Sequence, residues 1–231
     1  MDLKTRQLKP RIRELLVAAD NGAEGSPNAP FDAVCLYPPR QSVNALISFF
    51  CDREEIIRWR AIAAMGRVVA MLSEDNMESA RVVMRRLMWS LNDESGGIGW
   101  GAPEAMGEIM ARSRRLADEF SRILRSYIRQ DENFLEHETL QRGVLWGIGR
   151  LAQVYPGHLK QTDSHLLPFL DSDDAIHRGY AAWALGNLKS ENAAPLIENL
   201  RKDPHLIVFF DGIRLQKLPV SFFAEQALKQ I

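Results

Sequence analysis

Apolar residues recur at helical spacing along almost the whole chain. Leu8, Ile12, Leu15, Leu16 and Ala19 fall on one face of a helix predicted over residues 3–19. The stretch NGAEGSPNAP, residues 21–30, interrupts it with two glycines and two prolines, and FDAVCLYPPR continues as an irregular connector. Five later segments, VNALISFFCD, VVMRRLMWSLND, FSRILRSYIRQD, SHLLPFLDSDD and APLIENLRKD, read as amphipathic helices that close on an acidic turn. Each is followed by a second helix. Four of these second helices carry glycine at one register, Gly66, Gly107, Gly149 and Gly186, at spacings of 41, 42 and 37 residues. In a fifth, AEQALKQI, Lys229 takes that slot 43 residues further on. A period near 40 made of helix, acidic turn and helix predicts an all-α chain, an α-solenoid of about five helical pairs. The period breaks at IVFFDGIRLQKL (Ile207–Leu218), where β-formers flank Asp211-Gly212. That pattern predicts a small β-hairpin inserted between the helices of the last pair.

The second helices IHRGYAAWALGNL (Ile176–Leu188) and IRWRAIAAMGRV (Ile57–Val68) resemble the HEAT-like repeat family, in particular the phycobilisome-lyase type, whose second helix reads roughly V-R-x-x-A-A-x-A-L-G-x-I. Both keep an arginine eight residues before the glycine, Arg58 and Arg178, and an aspartate at the preceding turn, Asp52 and Asp171. Gly99 and Gln141 replace the arginine in the second and third copies, which removes an Asp-Arg turn brace from them. The resemblance implies a right-handed solenoid, one repeat domain over residues 41–231, with residues 1–40 packing on it as an extension. It is nearly silent on activity, because HEAT-like arrays serve as scaffolds, lyases, a hydroxylase and DNA glycosylases.

The glycine register sorts each second helix into faces. Ala61, Met65, Val68, Ala102, Met106, Ile109, Val144, Ile148, Leu151, Ala181, Leu185 and Leu188 form the core stripe. A second stripe carries Trp59, Ala63 and Arg67, then Trp100, Glu104 and Glu108, then Arg142, Trp146 and Arg150, then Gly179, Trp183 and Asn187. By resemblance this stripe lines the concave side. Trp59, Trp100, Trp146 and Trp183 are then aromatic anchors for a protein segment, with Glu104, Glu108, Arg142 and Arg150 fixing its orientation. The competing reading packs the tryptophans across the seams between repeats or beneath the first 40 residues. Trp89, inside a first helix, is assigned to the core.

The least generic stretch is NDESGGIGWGAPEAMGEI, Asn92–Ile109. Glycine costs about 1 kcal/mol per helical position relative to alanine, so packing alone is not expected to select Gly96, Gly97, Gly99 and Gly101. Pro103 suits a first helical turn and places the helix start near Ala102, leaving a loop before it. Backbone amides there could hold an anion, whereas Glu94, Glu104 and Glu108 favour a cationic or amide-bearing ligand. A small-molecule or enzymatic site built on Glu94, Gly97, Gly99, Glu104 and Glu108 is therefore the alternative to a protein-binding groove. No GK[ST] ending makes the stretch a P-loop.

Charge narrows the partners. The chain has 29 basic and 30 acidic residues, a balance that predicts no general attraction to nucleic acid or membrane. HEAT-like DNA glycosylases hold a damaged nucleotide with aromatics and a carboxylate, and Trp100 with Glu104 is similar in kind. The stripe is not basic enough for several phosphates, and nucleic acid is not expected as a partner. HEAT-like deoxyhypusine hydroxylases bind iron through several His-Glu pairs, and His137-Glu138 is the single such pair here. No metal, cofactor or catalytic nucleophile is expected. Cys35 and Cys51 lie outside any CxxC spacing and read as two buried, reduced thiols. The charged N-terminal segment is neither a signal peptide nor a span, so a cytoplasmic location is expected.

Overall fold

Capping chemistry sets several of the helix starts. The Asn76 side chain accepts from the Ser79 N–H at 2.9 Å, Asp174 from the Ile176 N–H at 2.8 Å, and the His137 Nδ1 from the Thr139 N–H at 3.2 Å. The structure, a computed structural model, describes residues 5–19, 29–92 and 99–231. Its backbone falls into two compact units, Met1–Ser113 with Phe210–Leu215, and Arg114–Phe209 with Gln216–Ile231.

The first unit holds α1 (Thr5–Ala18), α2 (Ala29–Val34), α3 (Pro39–Phe49), α4 (Glu55–Asp75), α5 (Met77–Leu91) and α6 (Ala102–Arg112). Leu8, Ile12, Leu16 and Ala19 are buried, as the periodicity of α1 requires. The connector after it is not irregular throughout: α2 buries Phe31 and Val34. Arg60, a fully buried charged side chain, reaches the C-terminal carbonyls of α1. Its Nη1 donates to Leu16 at 2.9 Å and Val17 at 3.2 Å, and its Nε to the Ile213 carbonyl at 3.3 Å. The last carbonyls of a helix lack intrahelical partners and carry the negative end of its dipole, so a buried guanidinium there is compensated.

The second unit holds α7 (Arg114–Ser126), α8 (Glu138–Val154), α9 (Asp163–Leu166), α10 (Ala175–Leu188), α11 (Ala194–Asn199), most of the strands β1 (Leu206–Phe210) and β2 (Leu215–Pro219), whose turn ends Phe210 and Leu215 belong to the first unit, and α12 (Val220–Leu228). The first helices of the last two pairs are short. Pro168 has no N–H to give, and the chain runs from α9 into a 3-10 turn over Leu167–Asp171. The hairpin lies where the change of period puts it, between α11 and α12. Its turn is broader than a two-residue one: only Gly212 takes a positive φ, 106°, and the Asp211 carboxylate accepts from the Ile213 and Arg214 N–H groups.

Close helix approach explains the repeated glycine. A Cβ on Gly66 would sit 2.6 Å from Glu108 Cγ of α6, one on Gly149 2.4 Å from the Trp183 ring of α10, and one on Gly186 2.6 Å from the Ala227 backbone of α12. Eleven of the twelve residues assigned to the core stripe are buried, and only Leu188 is half-buried. Each leucine-sized side chain so placed contributes about 1.5–3 kcal/mol. Two assignments fail. Trp89 is 79% exposed, and neither cysteine is buried, since Cys35 is half-buried and Cys51 exposed.

Candidate partner-binding site

The tryptophan stripe does not form a set of open anchors. In the first unit Trp59 is half-buried and its indole stacks on Phe210, centroids 5.4 Å apart at 18°. Trp100 is half-buried. In the second unit Trp146 is 2% exposed and lies against Trp183, ring centroids 6.2 Å apart. Trp183 in turn meets Phe209 edge-on at 4.9 Å and fills the space that the missing Gly149 side chain leaves. Trp146 and Trp183 are therefore seam packing between α8 and α10. Large aromatic area is the reason such positions attract tryptophan without any ligand.

The glycine-loop residues divide in the same way. Glu94 and Gly97, with Gly96, lie outside the described residues. Gly99 is buried, and a Cβ there would meet the Ser90 carbonyl oxygen at 2.7 Å. Gly101 caps α6 with φ 73°, a left-handed conformation that costs other residues about 1 kcal/mol or more, and a Cβ there would sit 2.9 Å from Phe50 Cγ. For these two glycines, packing and backbone do select the residue. The helix begins at Ala102, as Pro103 implies. Glu108 is 4% exposed, packs under Gly66, and accepts from Arg112 Nε at 2.5 Å, so it is a brace and not an open carboxylate. Glu104 keeps unusual chemistry. Its Oε2 is buried with no hydrogen-bond partner, and burial pushes its carboxyl up to about 7 against the pull of its own backbone N–H and of Arg58.

The arginines of the second unit work between repeats. Arg142 Nε donates to Asp174 Oδ2 at 2.6 Å, and Arg178 Nε to Asp203 Oδ2 at 2.8 Å, each reaching from a second helix to the turn of the next pair. Arg178 also donates to the Ser172 and Asp173 carbonyls, and Arg58 to that of Asp52. The brace expected from Asp52 and Asp171 carboxylates is thus made with turn carbonyls, which face the guanidinium directly. Burial opposes ionisation of Asp174, yet the Arg142 and Ile176 hydrogen bonds outweigh it and hold the carboxyl below its ordinary value. Arg150 spans one helical turn to Gln153 at 3.1 Å.

An open pocket of about 620 Å³ lies on this unit, walled by Phe134, Pro168 and Phe169 and by Asp131, Glu138, Asp173 and Asp174. Residues before and at the start of α8 supply one side, and the α9–α10 turn supplies the other. His177 sits at its base, 4% exposed, with Ser172 Oγ 3.1 Å from Nδ1 and the Phe169 ring edge-on at 5.4 Å. Burial lowers its pKa despite Asp174, so the imidazole is neutral near pH 7. Two of the carboxylates are already answered: Asp131 by Arg129 at 2.6 Å and Asp174 by Arg142. Those of Glu138 and Asp173 make no hydrogen bond or ion pair among the described residues. Sequence reading missed this pocket. Its acids are ordinary turn residues, and only the stacking of consecutive pairs gathers them beside two phenylalanines.

Among the described residues no three histidine, cysteine or acidic side chains lie close enough to share a metal ion, and no helix is long and apolar enough to cross a membrane.

Comparison with known proteins agrees with the architecture. Residues 138–188 match the model of the HEAT-like repeat. An uncharacterised protein of Archaeoglobus fulgidus is 28% identical over 180 residues, covering 76% of this chain and 90% of that protein. Among solved structures, a designed armadillo repeat protein in complex with the peptide (KR)4 superposes with a TM-score of 0.54 at 14% identity, over 95% of this chain and 98% of the other. An engineered protein gives 0.53 at 12% identity over 95% of both chains. Five successive helical pairs among the described residues, the glycines at the helix approaches and these likenesses give the chain a fold similar to that of armadillo repeat proteins, with the HEAT-like repeat matched over residues 138–188.

Proposed function

We propose that the chain is an interaction module that binds an extended segment of a partner protein, with a basic side chain of that segment seated in the pocket beside α8 and α10. The observation that carries this reading is the pairing of two unanswered carboxylates, Glu138 and Asp173, with the rings of Phe134 and Phe169 in one open pocket. Carboxylates recognise a guanidinium through charge-assisted and often bidentate hydrogen bonds, and an aromatic face adds cation–π attraction. A neutral His177 adds no repulsion. The designed armadillo repeat protein of similar fold was solved with a peptide whose name spells lysine and arginine, which supports a peptide as the kind of partner.

The test is fluorescence anisotropy with a labelled peptide of alternating lysine and arginine, and with one of alternating glutamate as control. Saturable binding of the basic peptide should weaken about tenfold or more in E138Q/D173N, consistent with loss of two charge-assisted contacts worth roughly 1.5–3 kcal/mol each before screening. Both residues are exposed, so melting should change little. Equal affinity of the wild-type chain and the double variant would sink the reading.

A further inference from the structure

The solvent face of α5 carries a second feature that the pocket leaves unexplained. Trp89 is 79% exposed and Val82 53% exposed. Seven residues apart, they stand on one line of the helix, since seven steps of 100° bring the side chain back to within 20°. Arg85 and Arg86 fall between them, one to each side of that line. The two other large apolar residues that are more than half exposed among the described residues are placed differently. Leu36 lies beyond the end of α2 and Leu206 at the start of β1, not on a continuous helix face. Single exposed leucines are normal on a soluble surface; an open tryptophan with an apolar neighbour on one helical stripe is not.

The described charged residues around the stripe are mostly basic. Arg81, Arg85 and Arg86 stand on α5 with a single acid among the described exposed residues of that helix, Glu78. Glu78 takes both Arg85, at 2.5 Å, and Arg81, at 3.5 Å, while Arg86 donates to Asn44 Oδ1 of α3 at 2.5 Å. Arg40 is exposed one helical turn before Asn44. Among the described residues of α3 and α5 near the stripe, four guanidinium groups stand against one carboxylate and give a basic rim to the Trp89–Val82 line. A second copy of this chain would bring like charges together there, so charge selects against self-association.

We infer that the α5 face is a docking surface for an acidic amphipathic helix of a partner protein, whose apolar side covers Trp89 and Val82 and whose carboxylates meet Arg85, Arg86 and Arg40. Tryptophan and arginine are the residue types that dominate binding at interface centres. The inference does not rest on the pocket of the other unit and stands or falls separately.

The probe is a labelled 18-residue helical peptide with leucine at i, i+3 and i+7 and glutamate elsewhere on the flanks, titrated against the full chain at 50 and 200 mM salt. Binding should be saturable, weaken with salt, blue-shift the Trp89 emission, and fall about tenfold or more in W89S and in R85E/R86E. A peptide of the same pattern with glutamine in place of glutamate should bind at least tenfold more weakly. The exposed positions leave melting unchanged, which separates lost docking from lost fold. No binding, equal binding of the glutamine peptide, or undiminished binding to W89S overturns the inference. A concentration-dependent dimer that W89S dissolves overturns it in favour of a second copy.

Discussion

The Trp59 indole stacks on the Phe210 ring, which is 2% exposed, so a residue that the repeat register places on a binding stripe is engaged in the packing of the first unit. Phe210→Ala should therefore destabilise the chain by about 3 kcal/mol or more, the usual cost of removing a buried phenylalanine ring. It should also shift tryptophan emission to the red as Trp59 loses its cover. A variant with wild-type melting and unchanged emission would show that the stack contributes nothing.

Gly149 and Trp183 fit together as slot and ring. Gly149→Ala brings a Cβ to 2.4 Å from Trp183, so the two helices must separate or the indole must turn. Overpacking of this kind costs about 1–3 kcal/mol. The same change in a W183L background should cost less, because the ring it collides with is gone. A double-mutant cycle of thermal melts measures the difference, and strict additivity would remove the slot-and-ring account.

Arg142→Ala should lower stability by about 1.5–3 kcal/mol near pH 7, as for a hydrogen bond between charged partners, at the lower end because the guanidinium is partly exposed. The Asp174 carboxyl is held below its ordinary value, so its contribution is present above the unfolded value of about 4 and is lost as pH falls through the folded one. The melting curves of the wild type and R142A should therefore converge in acid. A difference that persists unchanged below that range would mean the arginine acts through packing alone.

Glu104 runs the other way. Its folded value of about 7 lies above the ordinary 4.5, so the folded chain holds a proton that the unfolded chain releases. The contribution is fully present below about 4.5 and is lost as pH rises to about 7. Glu104→Gln removes that dependence and should raise stability at pH 8 on the order of 2 kcal/mol relative to the wild type, with little effect at pH 4.5. Parallel pH profiles for the two proteins would contradict the buried, unpartnered carboxyl.

Much of the architecture is written in local pattern. Gly66, Gly149 and Gly186 mark where one second helix approaches the next, and Pro103 marks the start of α6, because both rules are local to a turn or a helix face. The hairpin is legible from Asp211-Gly212 for the same reason. What the letters do not carry is which large residue of a stripe a neighbour covers. Trp146 and Trp183 stand at the register of the half-buried Arg142 and Asn187, and only the approach of α8 to α10 turns the indoles inward. Trp89 fails oppositely: it belongs to an apolar-looking helix whose stripe is rotated so that Val83, Met84 and Leu87 are buried instead. Arg60 was equally hidden, since a guanidinium among alanines becomes intelligible only beside the carbonyls of Leu16 and Val17.

The central claim, that a basic side chain of a partner segment sits between Glu138 and Asp173, is tested most directly by mapping amide NMR shifts during titration with the lysine–arginine peptide. The account predicts that the largest changes cluster at Phe134, Glu138, Phe169, Asp173 and His177 and vanish in E138Q/D173N. Shifts centred on Trp59 or Trp183 instead, or spread evenly over the acidic turns, would contradict it.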